Sequence, residues 1–287
     1  MSVSLLSWAV LNGLVTGVIY ALTGVGLSII LGLLNIPNFA HGALYALGAY
    51  FLYAAAQAAL GFWGGLIAAA LGVALLGMAI EYLGLRRLYG VHPDYALLLT
   101  FGLSLILTEA TIFVWGPTGF TFQPPLMLAG GVNLGVMVYP KYRLMIMLAT
   151  GLLVLGCWLF VERTKYGAII RAGIEDRDMA SALGINIRRV FTLGFAAGAA
   201  LAGIGGALML PVRGIAPTMG VEIMPVAFVV VVLGGLGSLP GAIVAGLLVG
   251  VFQSLMTALW APGADASVFA LMTLGILLRP QGLLGQR

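Results

Sequence analysis

The chain has 287 residues, of which 62% are hydrophobic and only 8% are charged, and its formal net charge is +4. A soluble domain is typically about 25% charged because water must wet its surface, so this composition excludes a water-facing enzyme or a secreted domain. The lone cysteine, Cys157, excludes a disulfide framework and a thiolate metal cluster, and its apolar surroundings predict a small buried side chain.

Apolar runs that approach the length needed to cross a bilayer, about 20 residues, follow one another along the chain. The first run has neither a basic stretch nor a cleavage pattern before it, so we interpret it as a span rather than a removable signal peptide. The region 222–279 is broken by Gly and Pro, so the sequence predicts eight or nine crossings. The candidate spans are 8–33, 40–60, 62–83, 96–115, 143–161, 190–210, 222–237, 241–260 and 266–279.

These spans predict an all-α polytopic transmembrane bundle with broken or re-entrant segments, formed by one domain over residues 1–287. Most of the 13 basic residues fall on one side of it, which the positive-inside rule places in the cytoplasm. Lys141, Arg143 and Arg213 fall outside, so the rule is followed incompletely. Nine crossings place the N-terminus outside. The basic residues assigned to the cytoplasm are Arg86, Arg87, Arg163, Lys165, Arg171, Arg177, Arg188, Arg189, Arg279 and Arg287.

The segment 35–41 interrupts two spans near the predicted cytoplasmic side. Pro37 lacks a backbone donor, while Asn35, Asn38 and His41 supply polar groups at or near membrane depth. Irregular backbone at that depth requires cover from protein or from a water-filled cavity. The segment is either a broken helix that lines the translocation pathway or its gate, or an ordinary short loop with His41 at the interface.

Glu109 is an acidic residue within the fourth span, where a carboxyl group is costly in lipid. Ser104, Thr108 and Thr111 share one face of that helix, and Glu109 lies about 100° from Thr108. Two interpretations remain: a polar patch that contacts substrate or a partner, or a Glu109 side chain that reaches water. The position of Glu109 towards the external end favours the second.

The segment 116–142 is rich in Gly and Pro and carries no acidic residue. We predict that it forms an external lid or docking surface rather than a span. A second break, 234–241, is Gly-rich, and Pro240 opens the next helix, a favoured place for proline. This break, which includes Gly235 and Gly237, is either a re-entrant turn at the pathway or a site of close helix packing.

The loop 162–189, predicted to be cytoplasmic, holds nearly half of the charged residues. Acidic residues before a helix-forming run and Gly184 after it are helix boundary signals. The sequence therefore predicts a short helix, which either docks into a groove on a partner or lies flat at the membrane surface. The acidic residues are Glu175, Asp176 and Asp178, and the apolar stripe of the helix is Met179, Ala180 and Leu183.

The run Ala-Ser-Ala-Leu-Gly at 180–184 resembles the loop by which permease subunits of ATP-binding-cassette (ABC) importers engage their ATPases. The common signature there is Glu-Ala-Ala followed later by Gly. Met179 replaces the Glu and Gly184 comes sooner, a departure typical of the branched-chain amino acid permease family. Three stretches resemble the same family: GLLNIPNFAHGALYALGAY (32–50), RAGIEDRDMASALGINIRRV (171–190) and VVLGGLGSLPGAIVAGLLVG (231–250).

This resemblance runs over nearly the whole chain, and the length fits the shorter of the family's two permeases. It implies a non-catalytic permease subunit in a bacterial or archaeal plasma membrane, surrounded by lipid and using no cofactor, no metal and no nucleic acid. The implied partners are a second homologous permease, two cytoplasmic ATPases and an external substrate-binding protein. Leu, Ile and Val are the family's default substrates, and close relatives carry urea, short amides and other amino acids.

The resemblance places the ATPase contact in the loop 162–189, and the two breaks and the Glu109 face supply candidate pathway residues. The ATPase-coupling residues are Glu175, Asp176, Met179, Ala180, Ala182, Leu183 and Gly184. The candidate pathway residues are Asn35, Pro37, Asn38, His41, Ser104, Thr108, Glu109, Gly235, Gly237 and Pro240.

Other functions are less compatible with the residues. The chain contains no G-x-x-x-x-G-K-[ST] sequence, so it cannot cradle nucleotide phosphates by the P-loop mechanism, and ATP must be hydrolysed by another chain. An ion-coupled secondary transporter is the alternative function, but that class often uses several intramembrane carboxylates and this chain offers one candidate. An intramembrane enzyme is disfavoured because the spans hold no H-E-x-x-H, carboxylate pair or Ser-His arrangement.

Overall fold

The computed structural model describes residues 3–34, 36–135 and 137–285, and most of them are helical. The helices and strands in chain order are α1 (Val3–Leu34), α2 (Ala40–Ala55), α3 (Gly61–Leu83), α4 (Pro93–Trp115), β1 (Gly131–Asn133), β2 (Val138–Pro140), α5 (Lys141–Arg163), α6 (Lys165–Glu175), α7 (Arg177–Ala182), α8 (Ile187–Arg213), α9 (Met219–Gly234), α10 (Leu239–Leu259) and α11 (Ala264–Leu278). A π-helical turn, Ala56–Leu60, follows α2, and a 3₁₀ turn, Leu85–Leu88, follows α3. Each predicted span corresponds to one helix, which confirms the all-α polytopic fold.

Seven helical stretches in the described part of the chain are long and apolar enough to cross a membrane. One of them, Ala40–Leu88, contains both α2 and α3. The chain reverses between them, where Ala59 and Gly61 have φ angles of 64° and 65°. A β carbon on Gly65 would lie 2.9 Å from the carbonyl oxygen of Leu52, so the two helices pack side by side. The stretch therefore contains two apolar helices, and with the shorter apolar helix α9 the described part of the chain has nine apolar helices that correspond to the nine candidate spans.

The chain divides into two compact units, each built from separated segments. One unit comprises Met1–Val25, Gln123–Leu155 and Pro225–Arg287, and the other comprises Gly26–Phe122 and Gly156–Met224. In the second unit, α8 packs closely against α2 and α3, and a β carbon on Gly77 would lie 2.6 Å from the Ala199 methyl group. Small residues allow this close approach in membranes.

In the first unit, the N-terminal part of α1 packs on α10. A β carbon on Gly17 would lie 2.9 Å from the α carbon of Leu247, and one on Gly246 would lie 2.5 Å from the backbone nitrogen of Ala21. The two helices therefore meet backbone to backbone along glycine and alanine faces. Cys157 in α5 is half-buried rather than fully buried.

The segment 116–142 is structured, and its last two residues already belong to α5. The strands β1 and β2 form an antiparallel pair in which Val132 faces Tyr139. The Tyr139 hydroxyl donates to the Asn12 side-chain oxygen at 2.9 Å, and Arg143 donates to the same oxygen. The hairpin is thereby tied to α1 and α5. Its predicted role as an external lid or docking surface stays a prediction.

Candidate functional site

The short helix α7 lies in the loop 162–189, as the boundary signals predicted. The Asp176 carboxylate caps its start and accepts hydrogen bonds from the backbone nitrogens of Asp178 and Met179, at 3.0 and 2.9 Å. Gly184 ends the helix with a φ of +84°, which a side-chain-bearing residue rarely adopts. Both boundary predictions are confirmed.

The exposed surface at α7 carries two large apolar side chains beside polar ones. Met179 is 59% exposed and Leu183 is 75% exposed, whereas Ala180 is buried. The predicted stripe is therefore split, because Ala180 points towards the chain itself. The remaining exposed members of the predicted coupling set are Glu175, Asp176, Ala182 and Gly184.

A second helix in this loop, α6, was not predicted. The Thr164 hydroxyl caps it by accepting from the Gly167 nitrogen at 3.1 Å. A β carbon on Gly167 would overlap the Val161 carbonyl, and Arg171 donates to that same carbonyl, so α6 folds tightly onto the end of α5. The signal was present in the sequence: Thr164 precedes apolar residues at helical spacing.

The break between α1 and α2 is covered by protein. Asn38 is 1% exposed, and its side-chain oxygen accepts from the Ala40 nitrogen at 3.1 Å. The Phe39 nitrogen donates to the Thr100 hydroxyl of α4 at 3.3 Å. His41 is fully buried inside α2. The turn also contains Pro37, whereas Asn35 lies outside the described residues.

The polar residues of α4 do not form a network with Glu109. The Thr108 hydroxyl donates to the Ser104 carbonyl at 2.8 Å, and the Thr111 hydroxyl donates to the Leu107 carbonyl, so both bond within their own helix. Glu109 is exposed in this single chain. The residue of α4 that reaches the first break is Thr100, which the sequence did not single out.

The second break, between α9 and α10, is a close-packed turn. Gly235 and Gly237 have φ angles of +108° and +78°, and Pro240 lies in the first turn of α10. The Leu284 nitrogen donates to the Gly234 carbonyl at 3.1 Å. The Ser238 hydroxyl donates to the Leu284 carbonyl at 2.8 Å. The C-terminal segment therefore covers this turn, which favours close packing over a re-entrant pathway loop.

Glu81, near the end of α3, was missed as a site residue although it is the first charged residue of the chain. It is fully buried, and three side chains surround its carboxylate. The Tyr89 and Thr192 hydroxyls each donate to one carboxylate oxygen at 2.6 Å. The Arg86 Nε lies 3.5 Å from the carboxylate, and its guanidinium also donates to the Thr192 oxygen at 2.7 Å. The pKa of the Tyr89 hydroxyl lies well above its ordinary value. Burial is the largest cause, and the hydrogen bond to Glu81 and the negative charge of Glu81 raise it further.

No group of three or more His, Cys, Asp or Glu side chains that could hold a metal ion occurs among residues 3–34, 36–135 and 137–285. The clusters that the structure does show consist of carboxylate, guanidinium and hydroxyl groups that bind one another. They can fix helices in place, and they leave no vacant metal-binding arrangement in those ranges.

Comparison with known proteins gives consistent results. The family model described as "Branched-chain amino acid transport system / permease component" matches residues 9–278. The high-affinity branched-chain amino acid transport system permease protein LivH of Salmonella typhimurium strain LT2 is 34% identical, over 96% of this chain and 94% of its own length. The corresponding protein BraD of Pseudomonas aeruginosa is 32% identical over the same shares. LivM of Escherichia coli K12 is 30% identical, over 93% of this chain and 68% of its own length.

Proposed function

This chain belongs to the branched-chain amino acid transport permease family, and from that premise we propose that it is one transmembrane subunit of an ABC importer. It forms part of the pathway for Leu, Ile, Val or a related small amino acid or amide. The observation that carries the proposal is the capped helix α7, whose exposed apolar side chains Met179 and Leu183 lie outside the predicted spans.

The exposed side of α7 has the chemistry of a docking element. Two large apolar side chains on a short helix are costly to leave in water, and each gains about 1.5–3 kcal/mol on full burial. The acidic groups of Glu175 and Asp178 flank them and provide charge for orientation. An ATPase groove with an apolar floor and a basic rim is the complementary surface.

The other partners follow from the chemistry of the chain. Without a phosphate-binding loop, the subunit depends on separate ATPases for energy. The similarity to both LivH and LivM, each named as a permease protein, supports assembly with a second permease subunit. An external binding protein supplies the substrate, and alternating access moves it inward.

The break at 36–39 is the proposed cytoplasmic gate. Its backbone is irregular but covered, and Asn38 and His41 are buried polar side chains close to it. Among the described residues, the side-chain nitrogen of Asn38 lacks a hydrogen-bond partner. A buried polar group without a partner is uncommon in proteins, and we take this side chain as one that can gain a partner when the gate changes shape.

The test is co-purification of the chain with its ATPases after substitution of the exposed Ala182 by Arg. We expect the association to be lost, because a bulky charge then lies between Met179 and Leu183. The matched control is Tyr166→Arg, which places the same charge on the exposed surface of α6, and we expect it to retain the complex. Survival of the complex with Ala182→Arg, together with transport that follows a proton or sodium gradient, would instead support a secondary transporter.

A further inference from the structure

Arg177, the first residue of α7, connects this helix to two others. Its guanidinium donates to the carbonyl oxygen of Leu33 at 2.8 Å, and its central carbon lies 5.0 Å from the centre of the Phe191 ring. Leu33 is the second-last residue of α1, where the carbonyl groups lack partners within the helix and the helix dipole is negative. Arg177 thus satisfies an otherwise free carbonyl with a charged donor and anchors to α8 by a cation–π contact.

The Phe191 ring continues the connection to the Glu81 cluster. It packs edge-on against the Tyr89 ring with centroids 5.3 Å apart, and the Tyr89 hydroxyl donates to Glu81. The hydroxyl of the neighbouring Thr192 donates to the other oxygen of the Glu81 carboxylate. The ends of α1 and α3, the start of α8 and the helix α7 therefore share one continuous set of contacts within one compact unit.

A buried charged cluster is a costly way to obtain stability alone, since well-packed apolar residues often do as well. The cluster does, however, hold helices at a fixed angle. The buried carboxylate lies on α3 and its hydrogen-bond donor Thr192 lies on α8, so a change in the angle between these helices would break the hydrogen bond. The end of α1 held by Arg177 leads directly into the turn at 36–39. A displacement of α7 is therefore passed to that turn.

We propose that Arg177 and Glu81 are positioning residues of a rigid linkage that transmits movement of α7 to the end of α1 and so to the adjacent break. This inference rests on the proposed ABC importer function, because it assigns the movement of α7 to a bound ATPase. Arg177 and Glu81 set how much solute is moved for each ATP hydrolysed.

The experiment uses the complete complex, reconstituted in liposomes with its ATPases and binding protein, and measures leucine uptake and ATP hydrolysis together. In Arg177→Gln we expect leucine moved per ATP to fall about tenfold, within the usual range of coupling energies. ATPase co-purification is expected to stay at the wild-type level, because the exposed face of α7 is unchanged. Arg177→Lys keeps the charge and a donor and is expected to recover part of the ratio.

Two matched controls and a second variant make the outcome decisive. Arg188→Gln removes an exposed arginine near the start of α8, and Glu162→Gln removes a carboxylate that is 39% exposed and lies 3.7 Å from the Arg171 guanidinium. Both are expected to keep the wild-type ratio. Glu81→Gln is expected to lower it as Arg177→Gln does, and it serves as the second test if Arg177→Gln does not assemble.

The linkage is overturned if Arg177→Gln and Glu81→Gln assemble and keep the wild-type ratio of leucine to ATP. It is also overturned if their only effect is loss of ATPase association. The proposed function itself fails in a different way, namely if the unaltered chain neither co-purifies with an ATPase nor moves leucine with ATP. The two failures are therefore distinguishable in one series of measurements.

Discussion

The backbones of Gly48 in α2 and Gly203 in α8 lie so close that a β carbon on Gly48 would overlap the carbonyl oxygen of Gly203. The atoms in the way are backbone atoms, so no side-chain rotation relieves the overlap. We predict that Gly48→Ala separates the two helices and lowers the free energy of unfolding by about 1–3 kcal/mol. Thermal unfolding in detergent, followed by size-exclusion chromatography, measures the change.

Gly102→Ala is the control for this prediction. Gly102 also lies inside a helix, but nothing comes within 4 Å of a β carbon built there. Alanine favours helix by up to about 1 kcal/mol relative to glycine, so Gly102→Ala should be neutral or slightly stabilising. Equal losses in both variants would show that helix propensity, and not the close approach, determines the result.

Thr100 of α4 holds the break between α1 and α2, and Thr100→Val should loosen it. The change preserves shape but removes the hydroxyl that accepts from the Phe39 nitrogen at 3.3 Å, and the loss of one hydrogen bond costs about 0.5–1.5 kcal/mol. Hydrogen–deuterium exchange should be faster at residues 36–41. Thr111→Val is the matched control, since Thr111 is equally buried but bonds only within its own helix. Identical exchange in both variants would contradict this role for Thr100.

The cap at Asp176 sets the population of folded α7, so its removal should weaken ATPase binding. Loss of a helix cap costs about 1 kcal/mol, which predicts binding weaker by at most about fivefold for Asp176→Ala. Asparagine caps nearly as well as aspartate, and Asp176→Asn should therefore bind almost normally. If Asp176→Asn binds as weakly as Asp176→Ala, the charge of Asp176 matters and the cap does not.

The raised pKa of Tyr89 predicts an alkaline limit to stability. Below about pH 10 the hydroxyl is protonated in the folded and the unfolded chain alike. Above that pH the unfolded chain loses the proton first, so the free energy of unfolding falls as the pH rises. Between about pH 9.5 and 11.5 we expect a smaller fall in Tyr89→Phe than in the unaltered protein.

At neutral pH, where this contribution is fully present, the unaltered protein should be more stable than Tyr89→Phe. Tyr89→Phe removes a donor to the buried Glu81 carboxylate, and a hydrogen bond to a charged group contributes about 1.5–3 kcal/mol. Tyr166→Phe removes a hydroxyl at a position that is 70% exposed and should leave stability at pH 7 unchanged. A Tyr89→Phe variant as stable as the unaltered protein at pH 7 would contradict the assigned bond.

The spans were predictable because one property, continuous apolarity over about 20 residues, determines whether a segment enters a bilayer. The boundaries of α7 were predictable for a similar reason. An acidic cap and a terminal glycine act on neighbouring backbone groups, so the local sequence is enough to predict their effect. Asp176 and Gly184 occupy the positions that these signals assigned.

The cluster at Glu81 was not predictable by the same means. Its partner Thr192 lies 111 residues further along the chain, and no local spacing links them. A polar patch at Glu109 was the less favoured interpretation of the helical spacing, and the hydroxyls of Thr108 and Thr111 bond to their own backbone instead. Periodicity shows which residues share a face, but the arrangement of the helices determines what that face contacts.

The C-terminal segment that covers the turn at Gly234 and Gly235 has a consequence for synthesis of the protein. Ser238 and its hydrogen-bond partner Leu284 are separated by 46 residues, which a ribosome adds in about 2 to 9 s at typical speeds. Until then the carbonyl groups of Leu233 and Gly234 lack the partners that the segment supplies. The corner between α9 and α10 therefore gains these hydrogen bonds only after α10 and α11 have been synthesised, so it is among the last parts of its compact unit to be completed.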